Sequence, residues 1–173
     1  MSELHKRIFL LGLPASGKST LGEALARKMG WEFADTDRLM EASTGLTVPQ
    51  LMQDRGDVAF RLLETDVLQS CLNREQLVVA TGGGLPAYHH NMDRMIRTGL
   101  TFWLNPHLEE MVRRIAASDG QRPMFAGMKS EEIMAKLAEL MEQRRHFYEK
   151  AAFAFNGSFG LEDLYFSANQ QLI

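Results

Sequence analysis

The sequence has few of the residues that would point to a secreted, membrane-bound or metal-ligating protein. Its one cysteine, Cys71, can form no internal disulfide and lies in an apolar run, so we expect a buried thiol in a reducing compartment. No apolar run approaches the roughly 20 residues of a membrane-spanning helix. The five histidines have no metal-ligand spacing. These absences predict a cytoplasmic protein that does not associate with membranes.

The sequence also lacks a strong charge imbalance. With 19 Lys and Arg against 22 Asp and Glu, its net charge is −3, which argues against a broad basic surface for nucleic acid. Any anion site must then be a local cluster of Arg and Lys. The 173 residues are enough for one domain with a sizeable core. We therefore expect a single domain over residues 1–173. Our expectation for its partners is a small molecule, with the protein as a monomer.

The strongest motif is the stretch from Gly12 to Ser19, which fits G-x-x-x-x-G-K-[ST], the phosphate-binding P-loop. An apolar run precedes it and a helix-forming stretch follows, which is the context that the motif needs. Glycines let backbone N–H groups turn inward around an anion, and the helix adds the positive end of its dipole. Lys18 would bridge the outer phosphates, and Ser19 would ligate Mg²⁺. The predicted contacts with a nucleoside triphosphate are Gly12, Pro14, Ala15, Ser16, Gly17, Lys18, Ser19 and Thr20.

Apolar runs alternate with amphipathic segments along the chain, which is typical of βαβ units. Helices are predicted between the runs, among them one that begins at Thr47, one over Ser130–Tyr148 and a closing one over Gly160–Leu172. The predicted fold is α/β, with three α/β/α layers around a parallel sheet whose ligands lie beyond the carboxyl ends of the strands. The five predicted strands are Arg7–Leu11, Trp31–Ala34, Leu77–Ala80, Leu100–Leu104 and Ala151–Phe155.

Two further strand ends carry residues suited to a ligand site. Asp35 and Asp37 follow the second strand, and on an extended segment their side chains point the same way. One could approach Mg²⁺ through water while the other accepts a proton from a hydroxyl group. Alternatively, Asp37 caps the next helix and Asp35 is a solvated turn residue. Gly82, Gly83 and Gly84 follow the third strand and allow close approach of a bound molecule, although a triplet turn without a ligand fits as well.

Arginines supply the other candidates. Arg61 lies in an unusually apolar segment, Arg144 lies near the end of a long helix, and Arg122 lies in a predicted mobile loop over residues 118–129. Guanidinium groups suit carboxylates and phosphates because they bind them bidentately. For Arg61 an ion pair with Glu64 fits equally well. For Arg144, a favourable interaction of its charge with the carboxyl end of its own helix fits equally well.

Together these residues resemble the shikimate kinase family, small P-loop phosphotransferases of the nucleoside monophosphate kinase-like group. The resemblance spans nearly the whole chain and is specific through the order and spacing of its motifs. It implies transfer of the γ-phosphoryl group of MgATP to the 3-hydroxyl of shikimate, giving shikimate 3-phosphate and ADP in aromatic amino acid biosynthesis. The motifs are GLPASGKST from residue 12, DTD at 35–37, FRLLE at 60–64, GGG at 82–84, RP at 122–123 and QRRHFY at 143–148.

The resemblance also implies a role for each matching residue. Asp37 would orient or deprotonate the 3-hydroxyl, and Asp35 would be the outer-sphere Mg²⁺ partner beside Ser19. Lys18 and Arg122 would stabilise the transferring phosphoryl group, with Arg122 arriving from a closing lid. Arg114 is similar in position to an arginine that stacks on adenine. The implied shikimate-binding set, mostly in an acceptor-binding segment at about 35–64, is Asp37, Arg61, Gly82, Gly83, Gly84 and Arg144, with the two arginines holding the carboxylate.

Three features depart from the family pattern. Ala15 replaces the central glycine of the P-loop, which is tolerated if that residue keeps a negative φ. Met124 and Phe125, which we expect to be exposed, replace Leu-Leu after the Arg-Pro of the lid. His146 stands where proline is usual. None of the three removes a group that the chemistry needs.

Three other functions stay open at this point. A kinase for gluconate or a nucleoside monophosphate would leave Arg61 and Arg144 unpaired. A switch that hydrolyses its nucleotide would want a water-positioning residue and an Asp-containing loop, and we identify neither. A nucleotide-binding module that has lost catalysis conflicts with the intact Lys18, Ser19 and Asp35.

Overall fold

Five parallel strands form the centre of the fold. In the computed structural model, which describes residues 6–118 and 122–172, they lie in the order β2-β3-β1-β4-β5, and every neighbouring pair is parallel. This confirms the predicted five-stranded parallel sheet. The strands are β1 (Arg7–Leu11), β2 (Glu32–Asp35), β3 (Leu77–Ala80), β4 (Leu100–Asn105) and β5 (Phe153–Asn156).

Helices cover both faces of this sheet because successive side chains of a strand point to opposite faces. Ile8 and Leu10 of β1 pack with the first and last helices, while Phe9 and Leu11 pack with the third to sixth helices. The arrangement confirms the predicted three layers. Among the described helices none is both long and apolar enough to cross a membrane. The helices are α1 (Lys18–Met29), α2 (Thr36–Thr44), α3 (Val48–Leu72), α4 (Asn91–Thr98), α5 (Leu108–Ala116), α6 (Ser130–Tyr148) and α7 (Leu161–Leu172).

The segment after β2 differs from the sequence prediction. We predicted an extended Asp35-Thr36-Asp37, but α2 begins at Thr36. The reason is local: the Asp35 side chain caps this helix by accepting hydrogen bonds from the amides of Asp37 and Arg38. Asp37, which we considered as the alternative cap, lies in the first turn instead. The Asp37 side chain therefore points in a different direction from that of Asp35.

The predicted loop at 118–129 is only partly irregular. Residues 119–121 lie outside the described residues. Pro123–Phe125 forms a single turn of 3₁₀-helix, and Phe125 is 5% exposed within the main core cluster. The prediction of an exposed Phe125 is therefore wrong, because the turn directs its ring against the helices of that face, whereas Met124 is 49% exposed as expected.

Candidate functional site

The P-loop connects β1 to α1 through residues 12–17 with several unusual backbone angles. Gly12 and Gly17 have φ values of 147° and 98°, which side chains other than glycine rarely adopt. Ala15 has φ of 63°, so a negative φ, the condition under which we considered the replacement tolerated, is not met. The loop curvature requires a left-handed residue there whether or not it is glycine. The alanine carbonyl accepts a hydrogen bond from Arg114 Nη1 at 3.0 Å.

Lys18 occupies the mouth of this loop. Its Nζ donates to the carbonyls of Gly12 and Leu13, both at 2.8 Å. Burial lowers the pKa of Lys18 to about 8, although the nearby Asp37 carboxylate works in the opposite direction. A partly buried ammonium group that is held by neutral oxygens, the two carbonyls and the Ser16 hydroxyl at 3.4 Å, is well prepared to exchange them for phosphate oxygens.

Ser19 and Asp35 form a pair beside the P-loop. Ser19 Oγ donates to Asp35 Oδ2 at 2.5 Å, while Asp35 Oδ1 accepts from the amides that follow it. The carboxylate is therefore held rigidly against the hydroxyl. A hydroxyl and a carboxylate oxygen are hard ligands of the kind that Mg²⁺ prefers, and their small number leaves room for water and phosphate oxygens.

Asp37 lies two residues further on, in the first turn of α2, between the P-loop and the glycine triplet at residues 82–84. Burial raises the pKa of Asp37 to about 6, and the neighbouring Asp35 charge adds to this effect while Lys18 opposes it. The carboxyl is therefore mostly ionised at neutral pH but much more basic than an exposed aspartate. Such a group can accept a proton from a hydroxyl bound beside it.

The glycine triplet is the point where four charged side chains meet. A Cβ on Gly82 would lie 2.8 Å from Asp37 Oδ1 and 3.0 Å from Glu64 Oε1. One on Gly83 would lie 2.9 Å from Arg144 Nη1, and one on Gly84 would lie 2.6 Å from Arg61 Nη1. Since Cβ atoms do not approach other heavy atoms below 3.0 Å, glycine at these positions makes room for the charged groups.

Arg61 is already bound by carboxylates of its own helix. Its Nη1 donates to Glu64 Oε2 at 2.7 Å and its Nε to Asp57 Oδ1 at 3.2 Å. Glu64 is 2% exposed, and burial raises its pKa against the effect of the Arg61 hydrogen bond. The guanidinium also lies 4.1 Å over the Tyr88 ring. The ion pair considered from the sequence is therefore present, and it fixes the direction of Arg61.

Arg144 differs from Arg61 in its partners. It is half-buried at the carboxyl end of α6 and makes no salt bridge with any residue in the described ranges. Its Nη1 is close to Gly83. A half-buried guanidinium without a carboxylate partner is a ready site for an anion.

Two neighbouring cavities lie along this end of the sheet, and Arg122 lines both. The smaller, about 190 Å³, is lined by the P-loop together with Asp35, Asp37 and Gly83. The larger, about 560 Å³, lies on the other side of the P-loop and includes Arg114. Burial lowers the pKa of Arg122, and the Arg114 charge adds to that effect. The smaller cavity thus brings the predicted phosphate-binding residues together with the predicted proton acceptor, Asp37.

Several residues in and behind the site were not predicted from the sequence. Thr36 Oγ1 accepts from the Gly82 amide at 2.8 Å, and Tyr148 OH donates to the Gly83 carbonyl at 2.6 Å. The larger cavity is bounded by the segments after β4 and β5, whose position at strand ends was the available indication. No group of three or more His, Cys, Asp or Glu side chains within residues 6–118 and 122–172 could hold a metal by itself. The residues of the larger cavity that were not predicted from the sequence are Pro106, His107, Gly157, Ser158 and Phe159.

Comparisons with known proteins agree on one family. A family model described as shikimate kinase matches residues 14–162. A shikimate kinase from Bacteroides thetaiotaomicron is 40% identical over 157 residues, which are 91% of this chain and 89% of that protein.

Solved structures give the same result. A 1.7 Å crystal structure of the shikimate kinase from Bacteroides thetaiotaomicron matches with a TM-score of 0.86 and 38% identity, covering 96% of both chains. A structure of shikimate kinase from Acinetobacter baumannii in complex with shikimate matches with a TM-score of 0.84 and 32% identity. It covers 98% of this chain and 94% of that one.

Proposed function

Because the chain belongs to the shikimate kinase family, we propose that it transfers the γ-phosphoryl group of ATP to the 3-hydroxyl of shikimate, giving shikimate 3-phosphate and ADP. The observation that carries this proposal is the meeting of Asp37, Arg61 and Arg144 at the glycine triplet, beside an intact P-loop. A proton acceptor and two guanidinium groups at one turn match an acceptor that has both a hydroxyl and a carboxylate.

The nucleotide binds along the two cavities. The amides of the P-loop and Lys18 hold the phosphates in the smaller cavity, and the larger cavity receives the nucleoside. Arg114 forms one wall of that cavity, where its contact with the Ala15 carbonyl fixes it against the P-loop. Arg122 reaches both cavities and is thus placed between the nucleoside and the transferring phosphoryl group.

Ser19 and Asp35 are the residues that would hold Mg²⁺, Ser19 directly and Asp35 through water. The short contact between their oxygens supports this pairing. The ion supplies charge neutralisation at the β- and γ-phosphates. Asp35 also caps α2 and thereby fixes the helix that carries Asp37.

The acceptor binds across the glycine triplet. Arg144 and Arg61 hold its carboxylate, with Glu64 keeping Arg61 in place. Arg144 is the stronger contributor, because Arg61 shares its charge with two carboxylates of its own helix. The 3-hydroxyl then lies beside Asp37.

Transfer requires no covalent intermediate. The hydroxyl proton passes to Asp37, the hydroxyl oxygen bonds to the γ-phosphorus, and the bond from that phosphorus to the β-phosphate oxygen breaks, leaving its electron pair on ADP. Lys18 and Arg122 balance the charge on the moving phosphoryl group. Closure of the segment around Arg122 would exclude water from this step.

The test is ADP release by the purified protein with MgATP, coupled to NADH oxidation. Shikimate, quinate, gluconate, AMP and no acceptor are run in parallel. We expect release with shikimate alone. Equal release without an acceptor would indicate a hydrolytic switch, and release with gluconate or AMP would replace shikimate with another acceptor. The single-domain organisation, the monomeric state and the cytoplasmic location stay predictions; size-exclusion chromatography with light scattering tests the second.

A further inference from the structure

The carbonyls of the glycine triplet accept hydrogen bonds both from neighbouring residues and from a distant one. The Gly82 carbonyl accepts from the Leu85 amide at 3.1 Å, and the Gly84 carbonyl accepts from the Ala87 amide at 3.0 Å. Both bonds are local to the turn. The Gly83 carbonyl instead accepts from Tyr148 OH at 2.6 Å, a contact between residues 65 positions apart. Tyr148 is therefore the long-range partner of a carbonyl in this turn, as Thr36 is the long-range partner of its Gly82 amide.

The hydrogen bond from Tyr148 to the Gly83 carbonyl also fixes the direction of the Gly84 N–H group. In a trans peptide the Gly83 carbonyl and the Gly84 N–H point in opposite directions. With its carbonyl held by Tyr148, the peptide directs the Gly84 N–H away from α6. Within the described parts of the chain, the amides of Gly83 and Gly84 have no hydrogen-bond acceptor. Amides without acceptors are available to a ligand.

Tyr148 is well suited to hold this peptide. The ring is 0% exposed and packs against Trp103 with ring centroids 5.9 Å apart. Burial raises the pKa of Tyr148 to about 12, so the hydroxyl remains a donor throughout the neutral range. Tyr148 also lies one helical turn after Arg144, so α6 presents to Gly83 both a guanidinium and the hydroxyl that orients the peptide.

We propose that Tyr148 is a positioning residue for the acceptor: its hydroxyl sets the Gly83–Gly84 peptide so that the Gly84 amide, together with Arg144, binds the acceptor beside Asp37. The inference rests on the proposed function and adds a residue that never touches the substrate. The affinity for the acceptor then depends partly on a core residue, Tyr148, which lies below the turn that contacts the ligand.

The test compares Tyr148→Phe with the wild-type protein in the ADP-release assay, varying shikimate and ATP separately. The phenylalanine keeps the ring packing and removes the hydroxyl, which donates to the Gly83 carbonyl and also interacts with Arg144. We expect the KM for shikimate to rise about five- to tenfold, the effect of one lost hydrogen bond, while kcat and the KM for ATP stay within about twofold. A merely structural role would lower thermal stability and the active fraction without moving the KM for shikimate.

Tyr165→Phe is the matched control. Tyr165 packs in the cluster on the opposite face of the sheet, and its hydroxyl has no hydrogen bond to any described residue. We expect no change in either KM. An unchanged KM for shikimate in Tyr148→Phe, with an active wild-type protein, would overturn the role of Tyr148 alone. A wild-type protein that does not phosphorylate shikimate would overturn the proposed function and this inference together.

A measurement on the wild-type protein covers the case in which Tyr148→Phe does not fold. With labelled tyrosine, the Tyr148 hydroxyl proton should give a slowly exchanging NMR signal, because it is buried and hydrogen-bonded. A rapidly exchanging hydroxyl would show that the bond to Gly83 does not form in solution, and the inference would fail.

Discussion

The P-loop and the glycine triplet both place glycines at the carboxyl end of the sheet, but for different physical reasons. Gly12 and Gly17 of the P-loop have positive φ values, so they provide a backbone shape. The glycines of the triplet do not; Gly84, for example, has φ of −88°. They provide space, because a Cβ on Gly84 would lie 2.6 Å from Arg61 Nη1. One turn is shaped by its own backbone and the other by side chains from distant helices.

Because of this difference, we expect the two turns to control different steps of the reaction. The P-loop arranges a contiguous stretch of amides around phosphate, and its own Lys18 is held by its own carbonyls. The triplet depends on α2 and α6, which bring Asp37 and Arg144, and on α3, which brings both Arg61 and Glu64. Damage to the P-loop should therefore act on the chemical step, and damage around the triplet should act on the affinity for the acceptor.

The largest expected effect is that of Lys18→Met. It removes the ammonium group from the P-loop while leaving the triplet intact. We expect kcat to fall by about 10²–10³, as for removal of a group that stabilises transition-state charge, and shikimate binding measured by calorimetry to persist. Lys28→Met on the same helix is the control, since Lys28 pairs with the exposed Glu162. Loss of shikimate binding in Lys18→Met would contradict the separation of the two turns.

Arg144→Ala probes the triplet. We expect the KM for shikimate to rise about 10- to 100-fold, corresponding to the loss of charge-assisted hydrogen bonds, with kcat changed far less. Arg61→Ala should give a smaller rise in KM but a lower melting temperature, because it leaves Glu64 buried without its partner.

Arg145→Ala is the control for Arg144→Ala, since the neighbouring Arg145 is exposed and lies 4.0 Å from Glu149. It should leave both KM values unchanged. Equal effects of Arg144→Ala and Arg61→Ala on the KM for shikimate would show that the ion pair does not weaken the contribution of Arg61.

The pH dependence tests the group that lies between the two turns. With a pKa of about 6, Asp37 is protonated as the pH falls through 6 and can no longer accept the proton of the hydroxyl. We expect kcat/KM for shikimate to be about tenfold lower at pH 5 than at pH 7, with circular dichroism showing that the fold persists. An ordinary aspartate would give a level profile over this range.

The asymmetry of the two turns also explains what could be predicted from the sequence. The strands and the P-loop are contiguous, so apolar runs and fixed spacings identify them. Glu64 and Tyr148 act on the triplet across long stretches of chain, and only packing reveals that Tyr148 meets Gly83. The start of α2 was missed because Asp35 was interpreted as a ligand-binding residue, whereas it also caps the helix.

The smallest expected effect is a gain in stability from Ala15→Gly. At φ of 63° an alanine carries a strain of about 1–2 kcal/mol, and the greater freedom of glycine in the unfolded chain offsets part of the relief. We expect a melting temperature higher by roughly 2–4 °C, corresponding to about 1 kcal/mol, measured without nucleotide. Ala24→Gly within α1 is the matched control and should lower it, because helical alanine has no strain to relieve. A loss of stability in both variants would show that residue 15 is not left-handed in solution, and that the P-loop reaches its shape through Gly12 and Gly17 alone.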